Sequence, residues 1–178
     1  NNAYCQDNET SWLDWSAMDA DLLAFTTRLL ALRRRHPALR RVKWFDGSPS
    51  VLGERDIAWL WRDGTEMTQA QWEDGGNRCF GFRLGRDSLD ETGLLVLVNA
   101  GEAPVAFTLP PAPGGVWTLQ LDTTRANGQP QARQGHPQAR HGDLRLQDEH
   151  DEQDDGLRGQ VEVPARALLL LSSRPEAA

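Results

Sequence analysis

Two periodicities divide the chain. Between residues 19 and 36, Leu22, Phe25, Leu29 and Leu32 recur at helical spacing and Leu23 and Leu30 widen the stripe, which predicts one amphipathic helix. Asp19 or Asp21 is placed to cap its start, and Pro37, which has no backbone donor, should stop it near His36. Arg28, Arg33 and Arg34 form the expected polar face. Such a stripe needs a partner surface. Beyond Asn77 the pattern changes to short apolar runs separated by Gly, Pro, Asn and Asp, at residues 78–84, 94–99, 105–109, 116–121, 159–163 and 167–172. Trp117, Leu119 and Leu121 alternate toward one presumed core face, as do Val105 and Phe107. Antiparallel strands at this spacing predict a mainly β fold, a β-sandwich.

Two stretches lack either pattern. Residues 43–76 read as a connecting segment with one apolar run at 57–61, a turn at Asp63-Gly64, and a polar loop or single helical turn that Thr68 can cap. Residues 125–156 are rich in Gln, Arg, His, Asp and Gly and read as a mobile polar insertion into the sandwich, with one short strand allowed at 144–146. The expected domains are therefore 1–42, 43–76 and 77–178.

Composition narrows the function classes. The net charge of −7 disfavours a nucleic-acid partner, because phosphate binding relies on clustered cations. The run Arg33, Arg34, Arg35, Arg40 and Arg41 sits at the end of the predicted helix, where cations complement the helix dipole. No apolar run approaches the roughly 18 residues of a membrane span, so no membrane partner is expected. Cys5 and Cys79 are too few for a disulfide framework and read as reduced thiols of a cytoplasmic protein. Seven tryptophans stand against one tyrosine, and burial is the expected place for most of them.

Little of the chain carries chemistry. Asp151, Gln153, Asp155, Gly156 and Glu162 approximate a calcium-loop spacing, but Gln153 stands where Asp or Asn is required and no helices flank the tract. His136, His141 and His150 lack the helical context of a zinc pair. No metal and no cofactor is expected. The opening loop, NNAYCQDNETSWLDW, mixes carboxylates, amides and aromatics, the groups that hold sugar hydroxyls and faces.

That string, followed by a helix ending in LRRRHPALR and by DIAWLWRDGTEMTQAQW at residues 56–72, resembles bacterial glycogen debranching enzymes. These are isoamylase-type members of the alpha-amylase superfamily, glycoside hydrolase family 13. The segment LLVLVNAGEAPVAFTLP, residues 94–110, is similar to the same family's sandwich. The resemblance implies that residues 1–42 are the last loop and helix of a (β/α)8 catalytic barrel, with the rest of that barrel on a preceding polypeptide. It implies hydrolysis of α-1,6 branch linkages in glycogen or limit dextrin by the whole enzyme. The catalytic carboxylates would precede Asn1, so Asp7 and Glu9 are not among them, and this chain alone would be inactive. Asp7 and Asn8 would line the substrate cleft, by contact with sugar hydroxyls or by bracing the loop, and Trp12 and Trp15 would pack beneath it. A carbohydrate-binding module and a purely structural domain are the alternatives. The first would display two or three exposed aromatics on one sheet face.

Overall fold

The computed structural model describes residues 5–130 and 157–173. In chain order they form α1 (Ala20–Arg35), β1 (Ile57–Leu60), α2 (Gln69–Glu73), β2 (Cys79–Leu84), β3 (Leu94–Asn99), β4 (Val105–Thr108), β5 (Trp117–Asp122), β6 (Gln160–Val163) and β7 (Ala167–Ser173). Two antiparallel sheets result, one in the order β1-β2-β3-β7-β5 and one pairing β4 with β6. Between them lies a core of Leu95, Leu97, Phe107, Trp117, Val163, Leu169 and Leu171 with their neighbours.

The burial pattern explains the layering. In β6, Val161 and Val163 are buried while Gln160 and Glu162 face solvent, the mark of a strand covered on one side. Strands β3 and β7 are instead continuous apolar runs, LLVLVN and ALLLLSS, covered on both sides. Leu95 and Leu97 face the second sheet, whereas Leu94, Val96 and Leu170 face the other way and meet Leu32 of α1. Helix α1 is thus a third layer, on the outer face of the larger sheet.

Helix α1 starts at the expected cap, with the Asp19 carboxylate accepting from Leu22 N at 3.0 Å. It ends at His36, and Pro37 opens a 3-10 turn, Pro37–Arg40. Its stripe divides in two. Leu32 is buried and Phe25 half-buried against the sheet, but Leu22, Leu23, Leu29 and Leu30 remain exposed. Arg28, expected on the polar face, turns to the sheet instead. Its Nε and Nη2 donate to Gln120 O at 3.1 and 2.7 Å.

The reason lies in β5. A bulge between Leu119 and Leu121 takes Gln120 out of the ladder with β7, and Arg28 satisfies its carbonyl. The same bulge corrects the expected alternation. Trp117 and Leu119 pack between the sheets, while Leu121 emerges on the opposite face, beneath α1. An extra residue reverses the sidedness of everything after it.

Two other segments differ from expectation. The apolar run at 57–61 is an edge strand, with Ile57 opposite Leu84 and Leu60 opposite Gly81. Buried Asp56 ties the preceding loop to it, accepting from Gly47 N at 2.8 Å and from Arg41 at 3.1 Å. Residues 125–130, assigned to the polar insertion, fold back onto the sheet. Asp122 N donates to Gly128 O at 3.1 Å, and Gly128 is buried between Leu121 and Phe25. The strand expected at 144–146, His136, His141, His150 and the tract Asp151, Gln153, Asp155 and Gly156 all lie outside the described residues.

Candidate functional site

The opening loop is a self-bonded surface turn. Asp7 Oδ1 accepts from the Trp12 indole at 2.8 Å. Asn8 Oδ1 accepts from Thr10 N at 3.0 Å, and its carbonyl accepts from Ser11 N and Trp12 N. Both Asp7 and Asn8 are exposed and each has a bracing bond within the loop. Trp12 and Trp15 do not pack beneath it. They are 64% and 75% exposed, because no described element of the chain reaches their outer faces.

The same correction applies to tryptophan generally. Trp117 is fully buried, and its indole donates to Pro110 O at 2.8 Å, so it is a core residue. Trp12, Trp15, Trp44, Trp59 and Trp72 are exposed, Trp44 almost completely. Apart from Trp44, their exposure falls into two regions. One comprises the opening loop with Leu13, Met18 and the outward leucines of α1. The other is an aromatic corner on the larger sheet.

That corner is built from local signals. Trp59 lies in β1 between buried Ala58 and Leu60, so strand alternation turns its indole to the outer face. A turn after β1 then reverses the chain. Asp63 accepts from Thr65 N at 2.9 Å, and Gly64, at φ +85°, packs so close to Thr108 O that a Cβ would clash. The returning segment bonds Met67 N to Trp59 O at 2.9 Å. Thr68 and Gln71 close a reciprocal capping box on α2, which holds Trp72 over Trp59. The two rings stand edge to face, 5.4 Å apart at 76°. Phe80 and Phe82 of β2 flank Trp59 at 6.0 and 5.3 Å. Beside them opens a cleft of about 350 Å³, lined by Phe45, Asp46, Arg55, Trp59, Glu66 and Trp72 among others. Hydrogen bonds from Ser48 hold the Asp46 carboxyl below the usual carboxylate range. Arg55 bridges Glu66 at 3.4 Å.

A second cleft, of about 270 Å³, is lined by Trp61, Arg62, Asp74, Asn77, Arg78 and Glu102. Arg62 stacks on the Trp61 ring at 5.2 Å, so that indole face is already taken. Burial raises the Cys79 thiol at its floor, which leaves it a poor nucleophile. Among the described residues no group of three His, Cys, Asp or Glu side chains could hold a metal ion, and no helix is long and apolar enough to cross a membrane. Sequence reasoning missed the pairing of Trp59 with Trp72. Its available signal was the reversed phase of Trp59 against Ala58 and Leu60.

Two antiparallel sheets with a flanking helix define a mainly β domain. Residues 56–150, more than half of the chain, match the family model for the C-terminal domain of isoamylase, and the chain belongs to that family. It is similar to the glycogen operon protein GlgX homolog of Mycobacterium tuberculosis, 39% identical over 138 residues, covering 69% of this chain and 19% of that protein. It is also similar to the glycogen debranching enzymes of Serratia proteamaculans, 36% identical over 128 residues (70% and 17% covered), and Klebsiella pneumoniae, 45% identical over 110 residues (62% and 15% covered). The chain spans less than a fifth of the length of these curated relatives.

Proposed function

We propose that this chain works as the C-terminal part of a cytoplasmic debranching enzyme that hydrolyses α-1,6-glucosidic linkages in glycogen or limit dextrin. The observation that carries this reading is the similarity to relatives named glycogen debranching enzyme, of whose length the chain covers under a fifth. In this account the opening loop and α1 are the last loop and helix of a (β/α)8 barrel, whose active site is built from loops at one end of the barrel. The exposed leucines of α1 support it. Leu22, Leu23, Leu29 and Leu30 form an apolar face that the sheet leaves uncovered, as expected of a helix shared between two layers. The covering surface would be the barrel.

The chemistry then belongs to carboxylates outside the chain, acting as acid and nucleophile with retention of configuration. Asp7 and Asn8 contribute at the cleft wall. Their side chains hold the loop in shape and present remaining acceptor positions to hydroxyls of the glucan near the branch. The test is limit dextrin offered to the longer polypeptide that includes this chain. Release of linear maltooligosaccharides, first formed as the α anomer by NMR, is expected. No release, or cleavage confined to α-1,4 bonds, would reject the proposal.

A further inference from the structure

We propose that the Trp59–Trp72 corner and its cleft form a binding site for α-glucan chains on this domain. The choice of α-linked glucose rests on the function proposed above; that the ligand is a sugar chain rests on the corner itself.

A pyranose ring has an apolar C–H face and a rim of hydroxyls. It is held where an aromatic face lies beside donors and acceptors. Both elements are present here. Trp59 and Trp72 are 38% and 48% exposed, a large apolar surface that α2 and β1 hold in place rather than bury. The rim carries the Asp46 and Glu66 carboxylates and the Arg55 guanidinium. Arg55 commits Nε to Glu66 and one Nη1 proton to Gly47 O, which leaves donors for a hydroxyl. A cleft of about 350 Å³ lies at the lower end of the size range of small-ligand sites, roughly 300–1,000 Å³. The rim carries both signs of charge, which suits a neutral polyhydroxylated ligand better than a polyanion or an anionic lipid surface.

The angle between the rings is compatible with an α-1,4 linkage. Flat β-1,4 chains stack on coplanar platforms. An α-1,4 chain curves, so it fits an angled pair of rings, here edge to face at 76°, better than a flat chain does. Asp46, Arg55 and Glu66 line the same cleft as the two rings and offer acceptors and donors to sugar hydroxyls.

The experiment is affinity electrophoresis of the 178-residue chain in gels containing glycogen, with circular dichroism of each variant to establish that it is folded. Retardation is expected, relieved by maltoheptaose and not by cellohexaose. Trp72→Ala should weaken the apparent affinity by about tenfold or more, as truncation of a central aromatic contact does. Glu66→Gln should weaken it less, and Trp44→Ala, which removes an exposed tryptophan outside the cleft, should leave it unchanged. Absence of retardation, or equal retardation of folded Trp72→Ala, overturns the proposal. So does a concentration-dependent dimer that Trp72→Ala abolishes, since the corner would then be occupied by a second copy. The two proposals fail separately. A chain that ignores glycogen within an active debranching enzyme sinks only the cleft, whereas glycogen retention without debranching sinks only the enzyme assignment.

Discussion

Gly128 is wedged between Phe25 of α1 and Leu121 of β5. It has φ +68°, and a Cβ there would stand 2.7 Å from Leu121 Cδ1 and 2.8 Å from Phe25 Cδ2. Gly128→Ala combines backbone strain with overpacking, and a loss of about 1–3 kcal/mol is expected in chemical denaturation. His36 makes stability depend on pH. It is buried, with Nδ1 and Thr92 Oγ1 sharing a hydrogen bond of 2.9 Å, and burial and then the Arg35 charge lower its pKa below the ordinary 6.5. A depressed histidine stabilises the fold fully above its unfolded value, and that contribution is lost as pH falls toward the folded value. Glu54 adds a second loss below its ordinary 4.5; burial pushes it up, but hydrogen bonds from Arg86 outweigh that and lower it. The melting temperature should therefore fall between about pH 7.5 and about pH 5.5, and the fall should shrink in His36→Gln. An unchanged slope in that variant would contradict the assignment. None of these residues stood out in the sequence. A glycine in a polar tract and a histidine before proline acquire meaning only when distant elements close on them.

At the scale of elements, α1 is one helix with two apolar sides. Leu32→Ala removes a side chain packed on Leu94, Val96 and Leu170, and about 2–5 kcal/mol of stability should go with it. Leu22→Ser with Leu30→Ser should leave this chain within about 1 kcal/mol of its starting stability, because those side chains are more than half exposed and the change costs mainly helix propensity. In the longer enzyme the same pair should lower stability substantially, since the barrel would cover it. Equal effects in both contexts would remove the argument for a shared helix. The helix limits were legible from Asp19, the leucine spacing and Pro37. Its division was not, because a stripe of leucines does not say how many partners it has. Strand positions were legible in β2 through β7, where apolar runs and turn residues alternate. The direction of Leu121 was hidden by the bulge at Gln120, which leaves no mark in a one-dimensional pattern. Strand β1 was hidden too, since a four-residue edge strand with an outward tryptophan resembles a loop.

Across the whole molecule, three layers share one sheet: β4 and β6 on its inner face, α1 on part of its outer face, and the aromatic corner beside it. The family was legible from motifs at 1–9, 11–15, 32–40 and 56–72, since each carries an unusual residue order rather than a common periodicity. The corner was not legible, because Trp59 and Trp72 meet only after Gly64 reverses the chain and the capping box places α2. The central claim is that this domain supports debranching without supplying its catalytic acids. Its most direct test counts reducing ends released from limit dextrin by the purified 178-residue chain and by the longer enzyme in parallel. The account predicts maltooligosaccharides from the longer enzyme and none above the blank from the chain. Hydrolysis by the chain alone would contradict it.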